Sequence, residues 1–561
     1  MLSCRQMTLI QGGKHMKKLV SVFLALIMML TVLTPICSVS ASAASYKLLD
    51  IPVVRIFGDG EPLYNKDGEK IFHFSEMASI GGSIEKSELY SSVINVVMPF
   101  LIEGLGTGNF DRYYAALEKE IGELFAEARL DENGNAAEGQ GVSQERIRTM
   151  ENWLKNPKCR DFIFWYDWRL DPYESAASLK EYIERIKAVT GKDKVSVQSF
   201  CLGTSVIVAY IEKYGTDDLY GVSFDSSVVG GAEIISEPIS GKFRINGNAI
   251  NRFLADCNAN GTFKVDEFVN QTLDLLVKTG VLGSVVGTVR EKLYYKLFEG
   301  VTSALALSTF FTWPVYWSAV TEDDYDNAMN YVFGKEGSEK RVKYAGLIEK
   351  LDNYDVKVRQ KLPEILKQVE ADGVKIVVFA KYGYQIVPII ESADAVADQY
   401  VSAKRASFGA TTSTIYGTLD EDYIVSRLAE EKGKYISPDK QIDASTCLFP
   451  EYTWFAKGVS HSDRPDAEYE ILYAAMRADR QLTVDDFKYT QFMVYDNDTK
   501  VMSAMTEENC NIYNWEANNA EDNPTNKDEW VSALIRSLIR WLTGLLKVLV
   551  KVISAKAAVT G

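Results

Sequence analysis

The chain has 561 residues and a net charge of −16, and only three of its residues are histidines. Its 47% hydrophobic and 25% charged residues are typical of a folded protein with one large domain or a few smaller ones. The negative charge argues against nucleic acid as a partner, because phosphate binding needs a basic face. His15, His73 and His461 are too few for a histidine-rich metal site and leave few candidates for a general base near neutral pH.

Residues 1–44 have the pattern of a secretory signal peptide. They contain four basic and no acidic residues, an apolar run at 19–33 and the small-residue sequence ASAA at 41–44. Met16 is the better start, because the basic pair that follows it leads directly into the apolar run. Cys37 follows Ile36 rather than the small residue that a lipoprotein site needs. We therefore expect a secreted, extracellular protein.

The next elements along the chain predict an α/β fold. Strand-like runs alternate with segments of helical spacing, which predicts a mostly parallel sheet with helices on both faces. The predicted strands are 51–57, 162–166, 194–198, 219–224, 374–380 and 452–455, and the helices between them include 175–189 and 204–214.

Residues 237–372 interrupt this rhythm with a mainly helical pattern. The segment contains a strongly apolar patch at 304–320, which Pro314 and its short length make a poor membrane span. Two interpretations are compatible. The segment is a cap whose apolar patch lines an active site, or the patch is a helix pair buried within the cap.

The sharpest local signal surrounds Cys201. The strand at 194–198 runs into Ser199-Phe200-Cys201-Leu202-Gly203, and a helix follows, which is the layout of a nucleophile elbow. The elbow requires small residues two before and two after the nucleophile, and Ser199 and Gly203 satisfy this only if Cys201 is central. A helix N-terminus also favours a thiolate. The plain alternative is a buried structural cysteine.

A cysteine nucleophile needs a base and an acid that orients the base. In α/β-hydrolases these follow the nucleophile in the order acid, then histidine. His73 precedes Cys201 and is excluded by this order, whereas His461 follows a late strand-like run. Asp394 and Asp398 both lie after the strand at 374–380.

The chain resembles the lipase and lecithin:cholesterol acyltransferase-like branch of the α/β-hydrolases. YDWRL at 166–170, GKDKV at 191–195, WSAVTEDDYDNA at 317–328 and DQYV at 398–401 resemble segments of that family. DQYV corresponds to the family's D-G-x-V and selects Asp398 as the acid. The departures are Cys201 for serine, Ser199 for the first elbow glycine, Phe200 for histidine or tyrosine, and Gln399 for glycine.

The resemblance implies a secreted acyl hydrolase or acyltransferase that acts on lipid or other hydrophobic esters through Cys201, His461 and Asp398. The backbone N–H groups of Leu202 and of Asp59 or Gly60 would form the oxyanion hole. No cofactor is required. The alternative is a catalytically silent binding protein with the same fold at the cell surface.

Residues 256–267 fit the loop pattern of a calcium-binding EF-hand. The oxygen ligands would come from Asp256, Asn258, Asn260, Thr262 and Glu267. Asparagine replaces an acid at two of these positions, so a bound Ca²⁺ would be held with modest affinity. The alternative is a loop of Asx turns between cap helices.

The C-terminal segment predicts a basic amphipathic helix. Four basic side chains at 536, 540, 547 and 551 form one stripe on an otherwise apolar helix, which favours membrane or cell-surface association. The alternative is docking on the acidic body. The expected organisation is a signal peptide at 1–44, a hydrolase core at 45–236 and 373–516, a cap at 237–372, a linker at 517–528 and this helix at 529–561.

Five cysteines remain after residue 44, so at least one thiol is unpaired in a monomer.

Overall fold

A computed structural model of the protein describes residues 46–72, 96, 99–104, 107–244, 288–387 and 389–510. The predicted signal peptide, His73, the predicted calcium loop with Cys257, the predicted linker and the predicted C-terminal helix lie outside the described residues. Their predictions, like the domain boundaries, remain expectations from the sequence.

The described residues form one large sheet and two small ones. The strands are β1 (Val53–Ile56), β2 (Leu63–Tyr64), β3 (Lys70–Phe72), β4 (Asp161–Phe164), β5 (Val195–Phe200), β6 (Leu219–Asp225), β7 (Lys375–Tyr382), β8 (Thr411–Thr412), β9 (Ile442–Asp443), β10 (Thr453–Lys457), β11 (Phe492–Asp496) and β12 (Val501–Ala504). The large sheet has eight strands in the order β12-β11-β10-β7-β6-β5-β1-β4, and only the β11–β12 pair is antiparallel. β2–β3 and β8–β9 are separate two-stranded antiparallel sheets.

Helices surround this sheet. They are α1 (Asp111–Leu124), α2 (Gln144–Trp153), α3 (Pro172–Thr190), α4 (Gly203–Tyr214), α5 (Glu233–Ile239), α6 (Thr288–Ser308), α7 (Pro314–Ser318), α8 (Tyr325–Phe333), α9 (Glu339–Lys343), α10 (Ala345–Lys357), α11 (Leu362–Ala371), α12 (Ala403–Ala406), α13 (Glu421–Ala429) and α14 (Asp466–Ala475). Short 3-10 turns join several of them, and a π-helix covers Phe100–Gly104.

The central strands of the large sheet are buried on both faces, as a parallel sheet requires. Successive side chains of a strand point to opposite faces. Ile376 and Val378 of β7 therefore join the core beneath α3, α4 and α11, while Val377 and Phe379 join the core beneath α14. This arrangement confirms the expected α/β fold class with a mostly parallel sheet.

The predicted strands and helices are confirmed, with shifted ends. α3 begins three residues earlier than expected, because the Asp171 carboxylate accepts the Tyr173 N–H at 3.1 Å and Pro172 suits the first helical position. β11 and β12 were not predicted. Each has five residues or fewer, and β12 is an edge strand with alternating exposed side chains, so neither gives a clear periodic signal.

Between β6 and β7 the described residues form the helices α5 to α11 and short helical turns. The apolar patch at 304–320 packs inside this region, where Phe311, Trp313 and Trp317 are almost completely buried. Tyr316 of the same patch reaches a loop of the sheet, and its hydroxyl donates to Asp59 at 3.0 Å. The patch is therefore both a buried helical core and part of the surroundings of the candidate site.

Candidate active site

Cys201 occupies a sharp turn between β5 and α4. Its φ of +51° is in the left-handed region. A residue other than glycine adopts this backbone conformation at a cost of about 1–3 kcal/mol. The Cys201 N–H donates to the Asp225 carbonyl at 3.1 Å, which ties the turn to the end of the neighbouring strand β6. The turn lies next to the point where the chain order reverses, since β4 and β5 flank β1 on opposite sides. Open parallel sheets bind their ligands at such a point.

The small residues around Cys201 are required by close packing. A Cβ atom added at Gly203 would lie 2.6 Å from the Ile56 carbonyl oxygen of β1, which leaves no room for any side chain. Ser199 is completely buried, and its hydroxyl donates to the Ser223 carbonyl of β6. A Cβ atom at Gly58 would lie 3.1 Å from the Leu202 nitrogen, so the loop after β1 passes directly beside the turn.

His461 and Asp398 lie together although they come from different loops. The Asp398 Oδ2 is 2.7 Å from His461 Nδ1, and the His461 N–H donates to the Asp398 carbonyl at 2.9 Å. The second carboxylate oxygen of Asp398 accepts the N–H groups of Tyr400 and Val401 at 3.1 and 3.0 Å. These bonds fix a fully buried carboxylate, and the tight turn places Gln399 at a φ of +88°.

The electrostatics of His461 connect it to Cys201. Burial lowers the pKa of His461, but the negative charges of Asp398 and Cys201 and hydrogen bonds to both raise the pKa to about 10. The same partnership holds the pKa of Asp398 below its usual value, although burial opposes this. His461 Nε2 is buried, and within the described residues it has no partner other than the Cys201 sulfur.

Two aromatic rings hold the imidazole of His461. The Tyr400 ring stacks on it with centroids 4.8 Å apart, and the Phe200 ring packs against it at 4.9 Å. Cys201 and His461 are 8% and 5% exposed, whereas Tyr400 is 46% exposed. The pair is therefore covered, with an aromatic ring at its outer edge.

The predicted oxyanion donors surround the same turn. Leu202 immediately precedes α4, and its N–H makes no hydrogen bond within the part of the chain that the structure describes. Asp59 is half-buried and Gly60 is exposed on the loop after β1. Burial raises the pKa of Asp59, although the Tyr316 hydroxyl and the charge of His461 oppose this shift.

Several residues that lie beside Cys201 and His461 were not predicted from the sequence. Tyr166, whose hydroxyl donates to the Phe57 carbonyl at 3.0 Å, and Tyr316 both interact with the charge of Cys201. Lys381 is fully buried behind the His461 loop. The sequence did contain a signal for Lys381, because a lysine at the end of an otherwise apolar buried strand needs a partner for its charge.

Of the two candidate acids, Asp398 is the one whose carboxylate lies 2.7 Å from the His461 imidazole. Cys159, Cys201, Cys447 and Cys510 are free thiols. Among the described residues no group of three or more histidine, cysteine or acidic side chains could hold a metal ion. No helix in the same ranges is both long and apolar enough to cross a membrane.

No protein-family model matches the sequence, and no curated protein matches it. Among solved structures, the chain is similar to one described as "The crystal structure of Tle4-Tli4 complex". The sequence identity is 14%, the TM-score is 0.23, and the match covers 60% of this chain and 75% of that chain. A likeness this weak carries no argument about activity, so the chemistry must be argued from the residues of the site.

Proposed function

We propose that this protein is a secreted acyl hydrolase or acyltransferase of the α/β-hydrolase superfamily, with Cys201 as nucleophile, His461 as base and Asp398 as the orienting acid. One observation carries the proposal. A left-handed cysteine at a strand-to-helix turn lies beside a buried histidine whose other ring nitrogen contacts a buried carboxylate at 2.7 Å. Nucleophile, base and orienting acid are the three parts that acyl transfer through a thioester needs.

The reaction would proceed in two steps. The Cys201 thiol passes its proton to His461, and the sulfur attacks the ester carbonyl. The resulting oxyanion accepts hydrogen bonds from the backbone N–H groups of Leu202 and of Asp59 or Gly60. Collapse forms a thioester and breaks the bond to the alcohol, which leaves with a proton from His461. His461 then takes a proton from water or an acceptor alcohol, which attacks the thioester and restores the Cys201 sulfur.

The surroundings of Cys201 favour a hydrophobic acyl group as substrate. Cys201 and Leu202 belong to an apolar cluster that also contains Phe311, Trp313 and Trp317. Burying apolar surface contributes about 25 cal/mol per Å², so an acyl chain that enters this cluster gains binding energy that a polar substrate lacks.

A catalytically silent binding protein is the second candidate. The low exposure of Cys201 and His461 favours it, because an ester can reach the sulfur only if the covering residues move. Cysteine in place of the usual serine also leaves room for a site that binds without turning over. The two functions differ in the reactivity of one thiol.

Alkylation of Cys201 by iodoacetamide at neutral pH separates the two functions. Cys447 provides a matched control in the same chain, because it is 7% exposed, close to the 8% of Cys201. Burial raises the pKa of the Cys447 thiol to about 12, so it stays neutral and unreactive. We expect stoichiometric labelling of Cys201, none of Cys447, and a large fall in the Cys201 rate after His461→Ala.

Peptide mapping after brief labelling assigns the modified residue, and hydrolysis of p-nitrophenyl butyrate reports turnover. The enzyme proposal fails if Cys201 reacts no faster than the same thiol in the urea-unfolded chain and His461→Ala changes nothing. Labelling that depends on His461, without ester turnover by the wild type, would favour the silent binding protein.

A further inference from the structure

A buried cluster of charges lies directly behind the His461 loop. Lys381 is at the end of β7 and completely buried, and its Nζ is 3.1 Å from Glu468 Oε2 and 3.5 Å from Asp225 Oδ1. Asp225 ends β6 and Glu468 lies on α14, and both are 1% exposed. Arg464, between β10 and α14, approaches the same carboxylates at 3.8 and 3.6 Å.

This cluster contacts the main chain that carries the proposed base. Lys381 Nζ donates to the Asp463 carbonyl at 2.8 Å and approaches the His461 carbonyl at 3.5 Å. The Arg464 guanidinium lies 3.6 Å from the centre of the Phe200 ring, which in turn packs against the imidazole of His461. The cluster therefore touches His461 from its backbone side and through one ring.

Burying such a cluster of charges costs free energy, so its presence calls for a structural or functional explanation. Transfer of a charge into the interior costs several kcal/mol, and an apolar core of similar volume is often as stable as a buried ion pair. Both oxygens of Glu468 and Oδ1 of Asp225 also lack a hydrogen bond of ordinary geometry within the described residues. Stability alone does not account for these four side chains.

The two carboxyl groups differ in protonation. Burial and the neighbouring Asp225 raise the pKa of Glu468 well above its usual value, although Lys381 and Arg464 oppose this. For Asp225 burial acts upward, but Lys381, Arg464, Glu468 and His461 hold its pKa below its usual value. One proton is therefore kept between the pair near neutral pH.

We propose that Lys381 is a positioning residue, which with Asp225 and Glu468 fixes the His461 loop so that the imidazole meets the Cys201 sulfur. This rests on the proposed function, since it assumes that His461 serves Cys201. Arg464 contacts the same carboxylates and donates to the His461 and Asp463 carbonyl groups at 3.2 and 3.0 Å, but its side chain is 35% exposed. The lysine is the central member, because it makes these contacts while completely buried.

The test is the pH profile of Cys201 alkylation by iodoacetamide in the full-length protein. Lys381→Met is expected to lower the rate constant at pH 7 by about 10- to 100-fold, the range that misplaced catalytic groups typically cost. Lys381→Arg is expected to restore most of the rate. Lys457→Met is the matched control, because Lys457 is also buried at the end of a strand and paired with a carboxylate, Asp439, at 2.9 Å.

A purely structural role predicts that the Lys381 and Lys457 variants lose stability alike and keep the wild-type profile. Should Lys381→Met not fold, Glu468→Gln takes its place, because glutamine mimics the protonated carboxyl that the raised pKa of Glu468 favours. The wild-type profile is expected to show an inflection from the titration of Glu468, which Glu468→Gln lacks.

The positioning role is overturned if folded Lys381→Met keeps the wild-type rate and profile, or if the Glu468→Gln profile matches the wild type. If instead the wild-type rate itself does not depend on His461, the proposed function fails, and the positioning role fails with it. Folding of each variant is checked by near-ultraviolet circular dichroism and urea unfolding.

Discussion

At the scale of single residues, the candidate site has unusual backbone conformations next to its candidate functional side chains. Cys201 and Gln399 both have left-handed φ values, and the residues beside them hold these conformations. The Cys201 N–H is bonded to β6, and the turn at Gln399 is closed by two N–H groups that donate to the Asp398 carboxylate. The surrounding hydrogen bonds offset the strain at both positions and hold the proposed nucleophile and the proposed acid in place.

The link between His461 and Asp398 predicts a pH-dependent stability. The pKa of His461 is about 10 in the folded protein and near 6.5 when unfolded, so the folded state binds more protons in this range. The stabilisation that comes from the raised pKa of His461 is complete below pH 6.5 and is lost as the pH rises through 10. Asp398→Asn removes the strongest partner that raises the pKa of His461. The variant should therefore have a lower free energy of unfolding than the wild type, and this difference should be largest at pH 6.5 and smaller at pH 9.5.

Urea unfolding at pH 6.5, 8 and 9.5 measures this deficit. Asp486→Asn is the control, because Arg480 holds the pKa of Asp486 at about 2 and its contribution is constant across the window. A deficit for Asp398→Asn that stays equally constant would contradict a raised His461 pKa.

At the scale of elements, the turn between β5 and α4 depends on how closely the helix approaches β1. The carbonyl of Ile56 occupies the space where a side chain at Gly203 would project, so strand and helix are in backbone contact. This contact brings the loop after β1, with Asp59, beside the first N–H groups of α4. The oxyanion donors proposed above exist only because these two elements touch.

Gly203→Ala should therefore destabilise the protein. Alanine favours helices over glycine by about 1 kcal/mol, yet its Cβ would overlap the Ile56 carbonyl and force a backbone shift costing about 1–3 kcal/mol or more. Gly60→Ala is the control, because nothing lies within 4 Å of the added atom, and its effect should stay within about 0.5 kcal/mol. Urea unfolding compares them, and equal stabilities would refute the close contact.

Elements were predictable where their pattern is local. β7 alternates between two cores, so its run of apolar residues identified it, and Asp171-Pro172 marks the start of α3. β11 and β12 were missed because four or five residues beside a turn give little periodicity. Lys381 is an example of what could not be predicted. The pattern shows a lysine in a buried strand, but it does not show which carboxylates pair with that lysine.

At the scale of the whole molecule, charge divides the chain into two parts. The net charge is −16, yet the last 34 residues carry five basic and only two acidic side chains. We propose that this C-terminal segment attaches the protein to anionic membrane surfaces, to which each basic residue near the surface contributes about 1 kcal/mol. A hydrolase of hydrophobic esters held in this way would be close to its substrate.

Removal of residues 529–561 should abolish binding to vesicles of anionic lipid in a flotation assay and leave the unfolding transition unchanged. Replacement of Arg536, Arg540, Lys547 and Lys551 by glutamine is the matched control, because it keeps the apolar face and should weaken binding without abolishing it. If the truncated chain is instead less stable and the intact chain binds no vesicles, the segment docks on the acidic body.

The sequence by itself determined the mostly parallel sheet, the turn around Cys201, and the chain order of the proposed nucleophile, acid and histidine. These features depend on local alternation, on small residues at fixed spacing and on chain order. Only the tertiary structure decided that His461 contacts Asp398 across 63 residues, that Tyr316 reaches Asp59 across 257, and that Lys381 lies behind the base. Those contacts depend on how loops from separate strands meet at one edge of the sheet, which no local pattern encodes.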